Sequence, residues 1–132
     1  MLSFKSIVSA LAFTALVSAA PTSLEADTEL ANPFVTVCTG SLNPRAGCAD
    51  ITISTGTCVN FINGFSFLNH EVSNAQIPIG FTCTFFANFN CQSVSDFDSV
   101  FLQGGIWNLF NVPGINGNVN FNDQTSSYQC SL

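Results

Sequence analysis

One pattern occurs twice in this chain. Ile62-Asn63-Gly64 is followed after four residues by Asn69 and after three more by Ser73. Ile115-Asn116-Gly117 is followed at the same intervals by Asn122 and Ser126. The copies stand 53 positions apart, and the same offset carries Cys38 onto Cys91 and Gln76 onto Gln129. A repeat of this length is one supersecondary unit used twice. Such a unit leaves one apolar face uncovered, so two copies are expected to stack on a shared core.

The ends of the chain limit where that core can lie. Residues 1–19 carry Lys5, a mostly apolar stretch from Ile7 to Val17, and the small residues Val17-Ser18-Ala19. That order predicts a secretory signal peptide cut after Ala19, since a cut after Ala20 would place Pro21 just past the scissile bond. The apolar stretch is too short for the roughly 20 residues a membrane span needs, and no later segment is longer or more apolar. Residues 20–32 are acidic and poor in large apolar groups, and read as a flexible leader or pro-segment. Residues 33–132 remain as a single domain, with motif 1 over about 33–79 and motif 2 over about 80–132.

All six cysteines (Cys38, Cys48, Cys58, Cys83, Cys91 and Cys130) fall in that domain. In a secreted chain an even number predicts three disulfides, and six thiols allow 15 pairings among which the sequence does not choose. Zinc has no ligand spacing to use, because there is no Cys-x2-Cys and no paired histidine. The whole chain has a net charge of −6. Loss of residues 1–19 would remove Lys5 and leave Arg45 as the sole cation against eight carboxylates. Phosphate backbones and anionic lipid surfaces both select Lys and Arg, so nucleic acid and membrane surfaces are not expected partners. There is no Asn-x-Ser/Thr sequon for N-glycosylation.

From Phe34 onward the patterning is β. Phe34–Val37, Ile51–Ser54, Val59–Phe61 and Phe81–Phe85 carry apolar residues at a period of two or in short β-rich runs. Val100–Leu102 and Ile106–Phe110 are apolar runs parted by a bend at Gly104-Gly105, and Val119–Phe121 and Ser127–Cys130 complete the set. Asn63-Gly64 is a tight-turn signal. No window holds a helical period. Most of the phenylalanines are expected in the core, with Phe65, Phe67 and Phe89, beside turns, as candidates for an exposed patch.

The second copy runs on as Asn122-Asp123-Gln124-Thr125-Ser126-Ser127. This resembles the signature of calcium-binding βγ-crystallins: two Asn/Asp residues, any two, Ser/Thr, then Ser. That family's aromatic hallmark falls at Phe86–Ser93, where Cys91 replaces the second aromatic and Ser93 the glycine. Overall the chain is most similar to small secreted cysteine-rich fungal proteins of that layout. The segments that carry the likeness are Cys83-Thr84-Phe85-Phe86, Pro113-Gly114-Ile115 and Phe121-Asn122-Asp123-Gln124. It spans about Cys58 to Cys130; residues 33–57 match poorly. The resemblance implies an all-β, disulfide-stabilised βγ-crystallin-like sandwich of two Greek-key motifs. It also implies that a metal site would borrow oxygens from both motifs.

Two uses of the turn stay open. Asn122, Asp123, Gln124, Ser126 and Ser127, with Asn69 and Ser73 from the first copy, offer the oxygens calcium prefers, at roughly millimolar affinity given so few carboxylates. Alternatively the same side chains only cap turns by bonding their own backbone, without metal. The first copy, Asn69-His70-Glu71-Val72-Ser73-Asn74, has His70 and Asn74 where the signature has Asn/Asp and Ser, so at least one site should be weak or absent.

Catalysis finds little footing. His70 is the only histidine, and no nucleophile elbow or zinc-protease motif is present. Asp96-Phe97-Asp98 would set two carboxylates on one side of an extended segment, an arrangement open to a glycosidase. The expected function is that of a non-enzymatic secreted protein, a monomer with a structural, interaction or effector role outside the cell and an extracellular target the sequence does not name. Alternatives are an antimicrobial or killer-toxin-like protein, which the acidic balance disfavours, and a protease inhibitor presenting Arg45 from Asn43-Pro44-Arg45-Ala46.

Overall fold

The computed structural model describes residues 32–132. The signal peptide expected over 1–19, and all but the last residue of the leader expected over 20–32, lie outside the described residues. The described chain is all-β and antiparallel. Its strands are β1 (Phe34–Cys38), β2 (Cys48–Thr52), β3 (Val59–Asn60), β4 (Asn74–Phe86), β5 (Ser99–Asn108), β6 (Val112–Gly114), β7 (Gly117–Val119) and β8 (Ser127–Ser131). A 3-10 helix spans Asn63–Leu68 and a 3-10 turn spans Phe89–Cys91. Among the described residues no helix is long and apolar enough to cross a membrane.

Two long strands organise the molecule. The first part of β4 pairs with β1 (Thr36 opposite Gln76) and with the second part of β5 (Ala75 opposite Trp107). The second part of β4 pairs with the first part of β5 (Phe85 opposite Val100) and with β8 (Phe85 opposite Tyr128). With β2 outside β1 and β3 outside β8, two runs of four result, joined through β4 and β5, and the second continues from β5 through β6 (Val100 opposite Gly114) to β7. The register breaks between Ile77 and Thr82, so that Pro78 to Phe81 lie opposite Gly104 alone. Pro78 has no N–H for a ladder and fits such a bulge. A Cβ on Gly104 would come within 2.8 Å of the Ile79 Cα, so this close approach needs glycine.

Alternation fills the core from both runs. Val35, Val37, Ala75 and Ile77 come from one, and Cys83, Phe85, Leu102 and Tyr128 from the other, all essentially excluded from solvent. The Tyr128 ring packs against Phe85 at 5.2 Å and Phe61 at 6.0 Å between centroids. Burial pushes the Tyr128 phenol far above its ordinary value, and its hydroxyl has no hydrogen-bond partner.

Three disulfides form: Cys38–Cys48, Cys58–Cys91 and Cys83–Cys130. Two follow from register, because Cys38 lies opposite Cys48 and Cys83 opposite Cys130. The third fastens the Phe89–Cys91 turn to the approach of β3.

Several expectations change. Asn63-Gly64 opens a 3-10 helix rather than a hairpin turn. β5 runs unbroken through Gly104-Gly105, and Asn74–Gly80 is strand. Fewer phenylalanines than expected reach the core: Phe61, Phe85 and Phe121 are fully buried, whereas Phe34, Phe97, Phe101 and Phe110 are exposed; Phe67 and Phe89 are exposed as expected, and Phe65 packs half-buried against the core. Phe101 shows the reason, since it stands on a strand whose alternate positions, Val100 and Leu102, already fill the inner face.

Candidate functional site

The repeated turns meet. His70 and Asp123, equivalent under the 53-residue offset, both adopt the left-handed conformation, at φ 58° and 61°. Histidine and aspartate are among the non-glycine residues that enter this region most readily. In this geometry the His70 N–H donates to the Thr125 carbonyl (2.9 Å) and the Asp123 N–H to the Val72 carbonyl (3.1 Å). Val72 and Thr125 are themselves equivalent positions, so each turn gives the other the bond it receives. Backbone alone makes this seam, which is why histidine in one copy and aspartate in the other serve equally well.

The expected ligands are dealt out unevenly around it. Asn69 Oδ1 and Asn122 Oδ1, again equivalent positions, are buried with no hydrogen-bond partner. Asp123 and Gln124 are exposed, and the Gln124 amide donates to the Asn120 carbonyl at 3.3 Å. Ser126 is buried; its N–H donates to the Phe86 carbonyl and its carbonyl accepts from the Phe61 N–H. Ser73, half-buried, does the same between Cys38 and Leu109. Ser127 is committed elsewhere: its hydroxyl accepts from the Cys91 N–H at 2.9 Å and donates to the Asn88 carbonyl at 2.6 Å. Each turn thus carries one unpaired amide oxygen next to the seam, of Asn69 or of Asn122, while Ser127 ties β8 to the 88–91 segment.

Those unpaired oxygens are what a hard cation would use. Among the described residues no cluster of three or more His, Cys, Asp or Glu exists, so a cation here would rest on amide, hydroxyl and carbonyl oxygens. Calcium accepts such donors, with low affinity when few are charged.

The hydroxyl of Thr125 was not among the expected ligands, and it too is fully buried without a partner. Its equivalent in the first copy is Val72, equally buried. A buried hydroxyl that makes no bond costs stability, whereas an apolar group of the same shape does not. Thr125→Val is therefore expected to stabilise the protein by about 1 kcal/mol, read as a higher urea midpoint at unchanged slope. A lower midpoint would mean that the hydroxyl has a partner.

The remaining candidates sit apart. The His70 ring is exposed, with Nε2 3.4 Å from the Ala87 carbonyl. Asp96-Phe97-Asp98 is a turn, not the extended segment expected. Asp96 is exposed and accepts from the Asn116 amide at 3.2 Å. The Asp98 carboxylate faces inward and collects four donors: Ser93 Oγ (2.7 Å), the N–H groups of Val94 (2.7 Å) and Ser95 (3.2 Å), and Asn88 Nδ2 (2.9 Å). Burial pushes its pKa up, but these hydrogen bonds outweigh that and leave it below the ordinary carboxylate value.

Arg45 lies in the loop closed by Cys38–Cys48. Leu42 and Arg45 bridge across a tight turn, and the Thr39 and Gly40 N–H groups bond the Gly47 and Ala46 carbonyls. The guanidinium reaches Asp50 at 3.1 Å, with both side chains well exposed, a pairing that contributes little. The loop exposes Asn43 to Ala46 on a hydrogen-bonded turn. Comparison with known proteins returns no matching family model and no matching curated relative.

Proposed function

We propose that this chain is a secreted, non-enzymatic, disulfide-locked protein of βγ-crystallin-like build, with a structural or interaction role outside the cell, and that its paired turns bind calcium weakly. The reciprocal docking of the two repeated turns, with an unpaired buried amide oxygen on each side, carries the calcium reading. The Greek-key reading draws support from the pairings: β3 of the first copy joins the run of the second, and the second part of β5 joins the run of the first. Each run thus takes one strand from the other copy, an interlocking that supports two Greek keys. Three disulfides are consistent with an oxidising, extracellular setting.

Asn69 and Asn122 would hold the ion, with hydroxyl and carbonyl oxygens of both turns completing its shell. A bound ion would add stability by mass action, so the melting temperature should rise with calcium in the millimolar range. Calorimetry should give saturable heat in the wild type, and none in the Asn69→Ala/Asn122→Ala double variant. Absence of heat and of any thermal shift in the wild type would leave the turns as metal-free fasteners.

A further inference from the structure

The repeated Ile-Asn-Gly triplets remain without a role. Neither lies in the seam, and both are exposed: Ile62 and Ile115 are 48% and 50% accessible, and Asn63 and Asn116 face solvent. Asparagine before glycine is chemically special, because nothing on the glycine hinders its nitrogen from approaching the asparagine side chain. The two copies nevertheless differ in what holds them.

At the first copy neither reacting group has a hydrogen-bond partner among the described residues. The first i→i−3 bond of the 3-10 helix runs from the Phe65 N–H to the Ile62 carbonyl. The Gly64 N–H precedes it, where helices leave donors unpartnered, and Ile62 supplies no side-chain cap. No hydrogen bond engages the Asn63 amide among the described residues. At the second copy the asparagine side chain is held and the glycine lies in a paired strand. Asn116 Nδ2 donates to Asp96 Oδ2. Gly117 is the register partner of Gly114 in the β6–β7 ladder and stands at φ 109°, so its backbone is fixed by strand pairing. Conversion of Asn116 to an acid would also set a new carboxylate against that of Asp96, a repulsive pair.

We propose that Asn63-Gly64 is a site of spontaneous deamidation, and that it converts well before Asn116-Gly117. The Gly64 nitrogen attacks the Asn63 side-chain carbonyl carbon, Cγ. A new N–Cγ bond forms, the Cγ–Nδ2 bond breaks, and ammonia leaves with the proton lost from the Gly64 nitrogen. Water then opens the cyclic imide at one carbonyl or the other, giving aspartate or isoaspartate; no oxidant, reductant or enzyme is needed. An already acidic chain gains one negative charge at the entry to the segment that carries Leu68 into the core and leads to the Asn69 turn.

Gly64 makes the proposal cleanly testable. Its φ is not in the left-handed region, and a Cβ built on it meets nothing within 4 Å. Alanine should therefore fold normally there while hindering the attack, slowing conversion by about tenfold or more. Gly117 has φ 109° and offers no such substitution. The experiment is incubation of the folded, disulfide-bonded protein at mildly alkaline pH, followed over time by peptide mass mapping after reduction. The expected result is the amide-to-acid mass gain first on the peptide containing Asn63, strongly slowed in Gly64→Ala and abolished in Asn63→Gln. Gly64→Ala should keep the wild-type melting temperature, whereas Asn63→Gln should melt slightly lower, because Asn63 holds φ 54°, a conformation that favours asparagine over glutamine. Conversion of Asn116 first, conversion at Asn63 as fast in Gly64→Ala as in wild type, or no conversion at Asn63 would each overturn the proposal.

Discussion

Replacing both Cys83 and Cys130 by alanine is expected to lower the stability of the domain by about 4 kcal/mol. The bridge joins residues directly opposite one another on β4 and β8 and closes 47 positions of chain. Cross-linking restricts the unfolded chain more as the closed loop grows, and about 4 kcal/mol is the figure for a loop of this size. Both cysteines are buried in the core, so the variant also loses sulfur packing beside Phe85 and Tyr128. For Cys38→Ala/Cys48→Ala, with a separation of only 10, the same reasoning gives a smaller loss of about 3 kcal/mol. Urea unfolding of the oxidised wild type and the two double variants measures the order. A larger loss for the short loop would show that native-state packing, not chain restriction, dominates.

The second large effect is expected at Asp98. Asp98→Ala removes the one acceptor that serves Ser93, Val94, Ser95 and Asn88 together. Hydrogen bonds to a charged partner contribute about 1.5–3 kcal/mol each. Ser93 to Ser95 are exposed and can turn to water, so the net loss should be about 2 kcal/mol. The sign with pH follows from the lowered pKa. The folded protein binds the proton less readily than the unfolded chain, so the contribution is complete above the ordinary value of 3.8. It is then lost as pH falls through the lower folded value. Wild type should therefore destabilise steeply below about pH 4, with a shallower acid branch in Asp98→Asn. Melting curves taken across the acid range in both proteins test this; parallel branches would assign the acid sensitivity to other groups.

How far the chain could be read before its structure depended on whether the signal was local. Phe34–Val37 and Phe81–Phe85 announce themselves by composition and alternation, and both are strands. Asn74–Gly80 also alternates in sequence, with Ala75 and Ile77 buried and Gln76 exposed until the bulge turns Ile79 out to solvent, but Pro78 masks it. A proline argues against a central strand unless a bulge absorbs it, and a bulge is a property of the pair rather than of one strand. Disulfide pairing was closed to sequence for the same reason: Cys83 finds Cys130 only once the β4–β8 register exists. Asn63-Gly64 carries a hairpin signal, yet the chain beyond it is the 3-10 segment that buries Leu68, so tertiary packing overrides local turn preference.

For the candidate site, the sequence located both turns and most of their oxygens. It did not reveal that the two turns bond one another through backbone groups, nor that Ser127 is already occupied by Cys91 and Asn88. Thr125 illustrates the limit. It fills a position where the signature accepts any residue, so only its burial and lack of a partner make it notable.

The unbroken passage of β4 and β5 through both four-strand runs bears on how this molecule can respond to anything that binds it. A protein of two lobes on a flexible connector can close around a ligand by hinge rotation. Here the two halves share strands, and rotating one against the other would tear ladder bonds on both sides of Gly104. The seam between the turns consequently lies inside a single stiff body. An ion bound there as proposed would meet a receptor already in its final shape, so its binding should alter melting behaviour far more than dimensions in solution.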